Sequence, residues 1–398
     1  MPTRQKFKSL INYYLERYNQ LLSKAVPFKK YIAYKNWILA NYEMICHKDK
    51  VRSKPLKLTI ETTNICILNC PLCPTGLRIL DRENGHMDLK LFKCLMEEVG
   101  DYLFFIDFFN WGEPFIKIRN LIEMISIANK YQIITSVSTN LSLSISDDDI
   151  RDLLMSGLSE LVFSIDGASQ ETYSIYRRKG NFQLVCKNMH RIMEMKRQLG
   201  LRKPLVTWRY LVFSFNENEI EKAQQMANEI GVDRLQFAAP YLDEGLYPLT
   251  MEDKELMRTW GSSYPQYNFH HPQHMEKIKT EKTKIKTPKR CDWHYVSAVV
   301  NWDGSIAPCC GLYKKENDAG YMNNDNNFSL MDVFNNDFYQ HIRAYRAGKT
   351  IHTKSIFCEK CDWMDMFGYG RGLNRSIIYF TIAGFIEKMR LSLKLNHR

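Results

Sequence analysis

The sequence lacks any apolar run that could cross a membrane, because a spanning helix needs roughly 20 predominantly apolar residues and no stretch of the 398 residues approaches that length. The opening residues, MPTRQKFKSLINYYLERYNQ, have no apolar core followed by small residues, so we expect no secretory signal and a cytoplasmic location. In such a reducing compartment the 11 cysteines argue against a disulfide framework and for metal or redox chemistry.

Excess acidic charge is also missing, but the basic excess is confined to three segments. The formal charge is +11, and residues 1–54, 276–290 and 371–398 carry net charges of +9, +5 and +5. The rest of the chain is therefore acidic, at −8. A nucleic-acid-binding core would show the opposite arrangement, so nucleic acid is not expected as a partner.

Six short β-rich runs alternate with helical periodicity from residue 56 onwards. They read as near-continuous apolar strands of a parallel sheet that is covered on both faces. The candidate strands are 56–63, 102–111, 133–140, 161–166, 207–213 and 234–240. Eight such units would close a standard barrel, so the sequence predicts an α/β fold with a partial (β/α)6 parallel barrel.

A cysteine motif follows the first strand directly. CILNCPLC places Cys66, Cys70 and Cys73 at C-x3-C-x2-C spacing. Three thiolates on one loop can hold three irons of a [4Fe–4S] cluster and leave the fourth iron open for a substrate or cofactor. A zinc site is the alternative, but it usually takes pairs of cysteines at C-x2-C spacing.

With this motif the sequence resembles the radical S-adenosylmethionine (SAM) superfamily over roughly residues 55–240. The resemblance implies that SAM binds the open iron and is cleaved to a 5′-deoxyadenosyl radical, which abstracts hydrogen from a substrate. Gly112, Glu113 and Pro114 resemble the family's segment for the SAM amino group. Trp111 departs from the glycine that the family places first in this segment.

Further positions resemble SAM contacts of the family. Ser164 and Asp166 match the residues that contact the ribose and the carboxylate, and strand alternation places both on one face. Arg177, or its neighbour Arg178, matches the arginine that pairs with the SAM carboxylate. Leu72 stands where the family often has an aromatic residue against adenine, so it would supply apolar packing only.

A second cysteine set occupies the C-terminal part. Its cysteines are Cys291, Cys309, Cys358 and Cys361, with C-x12-G-x4-C followed by C-x2-C spacing. Four thiolates saturate one cluster or one zinc ion. The set resembles the SPASM module of radical SAM enzymes in its shortened, twitch form, which implies one auxiliary [4Fe–4S] cluster. Cys310 exceeds the ligand count and is a candidate hydrogen-atom donor.

These motifs divide the chain into five parts. They are a basic, aromatic-rich helical extension (1–54), the radical SAM barrel (55–245), a linker or lid (246–290), the SPASM/twitch domain (291–364) and a basic amphipathic helix (365–398). The two basic ends could lie on an anionic membrane surface, or they could pack over the open barrel.

The resemblance favours an enzyme that abstracts hydrogen from a sugar- or cyclitol-like substrate, giving dehydrogenation or epimerisation, with an envelope-associated substrate if the ends bind membrane. It also implies an electron donor such as flavodoxin or ferredoxin. One alternative is a peptide- or protein-modifying maturase. An alternative of another class is a non-catalytic iron–sulfur redox sensor, although a sensor has no need of a SAM site.

Overall fold

The computed structural model describes residues 31–240, 258–268, 291–322 and 329–349, together with Met251 and Glu255. Cys358, Cys361, the predicted C-terminal helix, residues 1–30 and most of the predicted linker lie outside these described residues. None of the described helices combines the length and the apolar character that a membrane crossing requires.

Nine strands form one sheet in the order β6-β5-β4-β3-β2-β1-β7-β8-β9. In chain order they are β1 (Lys57–Ile60), β2 (Phe105–Asp107), β3 (Ile134–Thr139), β4 (Glu160–Ser164), β5 (Leu205–Leu211), β6 (Arg234–Ala238), β7 (Ser297–Val300), β8 (Ser305–Ala307) and β9 (Gly320–Tyr321). β1 to β6 pair in parallel, each with its sequence neighbour. The six strands of the predicted partial (β/α)6 barrel are thus confirmed.

Helices connect and cover the strands. Among the described residues they are α1 (Tyr31–Ile45), α2 (Leu89–Val99), α3 (Ile118–Lys130), α4 (Asp147–Met155), α5 (Gln170–Tyr176), α6 (Phe182–Gln198), α7 (Ile220–Ile230), α8 (Trp293–Val296), α9 (Leu330–Phe334) and α10 (Asp337–Arg346). Local signals set their ends: the Ser146 side chain caps α4 by accepting from Asp149 N, and Gly231 ends α7 with φ +78°.

The C-terminal module continues the barrel sheet. β7 pairs in parallel with β1, with Lys57 opposite Ser297 and Ile60 opposite Val300. β7 and β8 then form an antiparallel hairpin, whose turn contains Gly304 at φ +84°, as glycine allows. The two cysteine-bearing parts of the chain therefore share one backbone ladder.

The expectation of apolar strands on both faces is wrong for one face. Residues paired in register share a face, and the series Thr59, Asp107, Ser136 and Glu160 runs across β1 to β4 on the same side. Leu58 and its counterparts on the other side pack with the helices in the main core. The sheet therefore has an apolar helix-facing side and a polar side, the latter hereafter called the polar face.

An ion pair and hydrogen bonds connect side chains of neighbouring strands on the polar face. Lys57 Nζ lies 2.5 Å from Asp107 Oδ2, and Ser136 Oγ donates to Glu160 Oε2 at 3.0 Å. Thr207 Oγ1 donates to Glu160 Oε1 at 3.3 Å. Buried polar groups are tolerated where they are hydrogen-bonded, and these pairs give the polar side chains of this face their partners.

Candidate active site

The first cysteine loop lies at the carboxyl end of β1. Turns shape it: Cys73 N donates to Cys70 O at 3.2 Å, and Leu77 N donates to Cys73 O at 2.8 Å. Gly76 allows the loop to fold back, because a Cβ there would lie 2.2 Å from Cys70 O. Sequence reasoning missed Gly76, although a glycine three residues after the last cysteine was a signal.

An apolar shelf supports this loop. Cys70 is buried with Leu68, Tyr176, Phe213 and Trp260. Cys66, Leu72 and Cys73 pack against the same group, so Leu72 is in an apolar setting, as expected for packing alone. The ring centroids of Tyr176 and Phe213 lie 4.9 Å apart.

Trp260 brings part of the predicted linker onto this shelf. Its ring centroid lies 5.7 Å from that of Phe213 in an edge-on arrangement, and its carbonyl accepts from Ser214 N at 3.1 Å. Ser262 Oγ adds a bond to Glu217 Oε2 at 2.6 Å. The described residues 258–268, part of the segment read from the sequence as a linker or lid, thus pack over the cysteine loop.

Arg177 and Asp166 form a buried ion pair beside the loop. Arg177 Nε lies 2.6 Å from Asp166 Oδ2, and Asp166 Oδ1 accepts from Leu211 N at 2.7 Å. Arg177 Nη1 lies 3.9 Å from Cys70 Sγ. Burial raises the pKa of the Cys70 thiol to about 11, and the Arg177 charge opposes that rise. The sequence assigned both residues to SAM, whereas here Asp166 bonds Arg177 and the backbone.

The guanidinium of Arg177 carries five N–H donors, which is more than the two contacts above use. Arg178, the neighbour considered with it, contributes its backbone carbonyl, which accepts from Asn69 N at 3.1 Å within the cysteine loop. The cation beside the loop is therefore that of Arg177.

Glu113 is fixed by the backbone around it. It is 2% exposed, its Oε1 accepts from Phe115 N and Thr139 Oγ1, and its Oε2 accepts from Asn140 N at 2.8 Å. Burial raises its pKa, which these donors oppose. The carboxylate thereby ties the turn beginning at Pro114 to the end of β3.

Gly112 and Trp111 join the same segment to its neighbours. A Cβ on Gly112 would lie 1.9 Å from Thr63 O, so only glycine allows this approach to the chain leaving β1. Trp111 O accepts from Thr75 Oγ1 at 2.6 Å, and its indole N–H donates to Leu312 O at 3.4 Å. Trp111, which stands where the family places a glycine, thus contacts both the cysteine loop and the C-terminal module.

Ser164 lies on the polar face, where its Oγ is 2.7 Å from Ser138 Oγ. Asp166, two residues later, turns to Arg177. The structure therefore brings Asp166, Arg177 and Cys70 together, while Ser164 bonds a neighbouring strand.

The second cysteine set begins around an apolar group of its own. Cys291, Cys309 and Cys310 pack against Trp293, Val299, Ala307 and Leu312. A hydrogen bond from Cys309 lowers the pKa of Cys310, and Lys57 on β1 lowers it further. Cys310 thus lies within electrostatic reach of the polar face.

Glu61 is a candidate functional residue that sequence reasoning missed. It is 1% exposed, and alternation from Thr59 places it on the polar face just beyond β1. Trp302 N lies 3.5 Å from its Oε2, while its Oε1 has no hydrogen-bond partner among the described residues. Burial raises its pKa to about 7, although Trp302 and Arg82 oppose the rise. The signal was a carboxylate five residues before the first cysteine.

These residues fit an iron–sulfur cluster and SAM. The described part of the chain holds no three His, Cys, Asp or Glu side chains gathered as around a single metal ion. A [4Fe–4S] cluster instead distributes its thiolates over different irons. Cys66, Cys70 and Cys73 share one loop, the Arg177 cation lies beside it, and the apolar shelf with Leu72 suits an adenine ring.

Two family models match the chain. Residues 60–227 match the radical SAM superfamily, and residues 291–362 match SPASM, an iron–sulfur cluster-binding domain. A PqqA peptide cyclase of Bradyrhizobium diazoefficiens is 23% identical over 184 residues, which are 46% of this chain and 46% of that protein. The chain thus spans about half the length of the curated relative that it matches.

Solved structures of Streptococcus suis SuiB share the fold. SuiB bound to S-adenosylmethionine aligns with a TM-score of 0.52 and 16% identity, over 82% of this chain and 74% of SuiB. SuiB bound to its precursor peptide SuiA aligns with the same TM-score and identity, over 82% and 73% of the two chains. At this identity the likeness shows the fold alone.

Proposed function

We propose that this chain, which belongs to the radical SAM superfamily and carries a SPASM iron–sulfur cluster-binding domain, is an enzyme that uses SAM to abstract hydrogen from a peptide substrate. The observation that carries the proposal is the cysteine loop at the carboxyl end of β1, flanked by the Arg177 cation and the apolar shelf. Barrel enzymes hold their active sites at this end of the strands. A redox sensor would have no need of the Arg177 cation and the apolar shelf beside the cysteine loop.

The residues that would hold the cofactors follow from their chemistry. Cys66, Cys70 and Cys73 would bind the first [4Fe–4S] cluster, and Cys291, Cys309, Cys358 and Cys361 the auxiliary one. For SAM, the backbone carbonyls near Gly112 would accept from the ammonium group, and Arg177 would donate to the carboxylate. When bound, the cluster supplies the electron that cleaves SAM and so produces a radical able to abstract hydrogen.

The chain's own residues would orient the substrate and exclude water. Trp260 and Phe213 cover the cysteine loop, and a dry setting protects reactive species from side reactions. Ser136, Glu160 and Thr207 present a fixed polar surface on the polar face. Glu61, with one carboxyl oxygen uncommitted among the described residues, would accept or hold a proton there.

A peptide substrate is supported by the relatives rather than by a motif. The curated relative is a peptide cyclase, and SuiB has been solved with a precursor peptide. The sugar- or cyclitol-like substrate expected from the sequence is the second candidate, favoured by the hydroxyls of Ser136, Ser138 and Ser164 on the polar face. The relatives favour the peptide.

A small electron-transfer protein, such as a flavodoxin or ferredoxin, is proposed as the reductant. Net oxidation and epimerisation both remain within the proposal. Cys310, whose pKa is lowered by the Lys57 charge, would serve as a hydrogen donor in epimerisation only. The cytoplasmic location stays a prediction from the sequence.

The test of SAM chemistry is 5′-deoxyadenosine formation by the reduced, iron-loaded enzyme under anaerobic conditions. We expect formation by the wild type, loss in Cys70→Ala, and wild-type formation in the control Cys186→Ala, whose cysteine lies on α6. Equal formation by Cys70→Ala would contradict the assignment of the loop.

The substrate class can be tested with a deuterated cell extract divided into peptide-sized and small-molecule fractions. A peptide substrate would transfer deuterium into 5′-deoxyadenosine from the larger fraction, and protease treatment of that fraction would abolish the transfer. Transfer from the protease-resistant small fraction would favour the sugar-like substrate instead.

A further inference from the structure

Helix α1 is anchored to the barrel by one side. Ala33 and Ala40 are fully buried on that side, and the Tyr34 ring meets Phe104 edge-on at 5.3 Å. Asn36 exchanges two 2.8 Å hydrogen bonds with the backbone of Lys54. Glu43 accepts from the backbone N–H groups of the residues that follow, Arg52 and Ser53. The orientation of α1 is therefore fixed by contacts of its inner side and of Tyr34 at the margin of that side.

The opposite side of α1 is apolar and exposed. It consists of Tyr31 (63% exposed), Ile32 (48%), Ile38 (62%), Tyr42 (54%) and Ile45 (71%), and is hereafter called the α1 outer face. Steps of seven, four and three residues place Tyr31, Ile38, Tyr42 and Ile45 in one stripe, and Ile32 lies about 100° round the helix from Tyr31, at its edge. A helix that is apolar on both sides is normally covered on both, so the stripe is fitted to a partner.

The charge around the α1 outer face is positive. Lys35 Nζ lies 4.2 Å from the centre of the Tyr31 ring, and Lys48, Lys50 and Arg52 are exposed just beyond the helix. The nearby carboxylates are engaged: Glu43 is buried in the backbone contacts above, and Asp49 pairs with Lys349 at 2.7 Å. The apolar stripe is therefore bordered by cations without matching anions on its own segment.

Charge complementarity decides which occupant fits. The two ends of the chain, which lie outside the described residues, have the same sign, since residues 1–30 hold seven basic and one acidic residue and residues 371–398 hold six and one. A second copy would present the same cations. Nucleic acid would match the charge but would leave the isoleucines in water. An anionic bilayer takes isoleucine into its boundary, tyrosine at the headgroups and lysine at the surface.

We propose that the α1 outer face docks on an anionic lipid surface and holds the enzyme at a membrane. This inference stands on the contacts of α1 and is independent of the chemistry at the cysteine loop. It narrows the sequence-based expectation of membrane contact to five side chains.

The experiment is co-sedimentation of the full, cluster-loaded chain with vesicles of phosphatidylcholine alone or mixed with phosphatidylglycerol. We expect binding to the anionic vesicles that weakens as salt is raised, because screening shortens the reach of the lysines. Ile38→Ser/Ile45→Ser should weaken binding by about tenfold or more, since two large apolar side chains would no longer enter the boundary.

The control is Met155→Ser, an equally exposed apolar residue, at 65%, on the distant helix α4. It should bind as the wild type does, and all three proteins should keep the same iron content and melting temperature. The proposal is overturned if the double variant binds like the wild type, if neutral vesicles bind equally well, or if the wild type stays in the supernatant. Self-association that the double variant abolishes, without vesicle binding, would assign the face to a second copy.

Discussion

Trp111 of the proposed SAM-binding segment donates its indole N–H to the backbone carbonyl of Leu312 in the C-terminal module, at 3.4 Å. Its ring also meets that of Tyr313 edge-on, with centroids 6.2 Å apart. Leu312 follows Cys309 by three residues, so the contact connects the proposed SAM site to the start of the proposed auxiliary cluster site. A glycine at position 111, as in the family's usual segment, could make neither contact.

Replacing Trp111 should loosen the C-terminal module. We expect Trp111→Gly to lower the free energy of unfolding by about 1–3 kcal/mol, because it removes a half-buried aromatic contact and a hydrogen bond. Amide exchange at Leu312 and Tyr313 should accelerate. Trp111→Phe keeps an aromatic ring but has no N–H donor. Its free energy of unfolding and its amide exchange rates should lie between those of the wild type and Trp111→Gly. Unchanged exchange in Trp111→Gly would mean that the contact does not hold the module.

The Arg177–Asp166 pair separates stability from SAM binding. Arg177→Met should lower the free energy of unfolding by about 3–5 kcal/mol, because it leaves the Asp166 carboxylate buried without its cation, with the Leu211 N–H as its remaining donor among those named above. Adding Asp166→Asn should recover much of that stability. SAM binding, measured by equilibrium dialysis, should stay weak in both variants. Recovery of SAM binding in the double variant would show that Arg177 acts only through Asp166.

Glu61 should make stability depend on pH. Its folded-state pKa of about 7 exceeds the ordinary value of 4.5, so the folded protein binds more protons than the unfolded chain between those values. Stability from this group is therefore present at low pH and is lost as pH rises from 4.5 through 7. The loss amounts to about 3 kcal/mol at most.

Glu61→Gln should remove that dependence. The difference in melting temperature between the variant and the wild type should shift in favour of the variant as pH rises from 5 to 8. The charges of Arg82 and Asp303 also shift the pKa of Glu61, and both residues are present in the variant and in the wild type. A constant difference across this range would mean that Glu61 is ionised throughout.

Iron content should report two separable clusters. The wild type, reconstituted anaerobically, should bind about eight irons per chain, and Cys66→Ala/Cys70→Ala/Cys73→Ala about four. Cys291→Ala/Cys309→Ala should also fall to about four, while Cys186→Ala stays at eight. Zinc that persists in the first variant, with no iron, would make the C-terminal set a structural metal site.

Sequence patterns predicted the elements that depend on local signals. β3 to β6 overlap the predicted strand runs 133–140, 161–166, 207–213 and 234–240, because β-rich composition is a local signal. The β1–β7 pairing was not predicted, because it joins segments about 240 residues apart and no local pattern encodes a partner. The polar face was missed because short runs such as IITSVSTN were read as uniformly apolar, although Ser136 and Ser138 alternate with Thr135 and Val137.

In the candidate site, too, some residues could be predicted from the sequence and others could not. Cys66, Cys70 and Cys73 were predictable because three ligands of one cluster are close in sequence. Trp260 and Glu61 were not, because the importance of each arises from neighbours brought by folding: Trp260 meets Phe213, and Glu61 meets Trp302. The pairing of Arg177 with Asp166 also required the structure, since sequence order alone assigned each of them to an external ligand.

Because β1 is hydrogen-bonded to β7, the separation between the first cysteine loop and the β7–β8 hairpin that precedes Cys309 is set by interstrand spacing of about 4.8 Å rather than by the connecting chain. Electron exchange between the proposed clusters would therefore be insensitive to insertions in residues 269–290, whereas residues 258–268 pack over the cysteine loop. A slip of β7 by one residue against β1 would be far more damaging. It would displace Cys309 along the sheet by about 3.3 Å and turn Val299 to the opposite face.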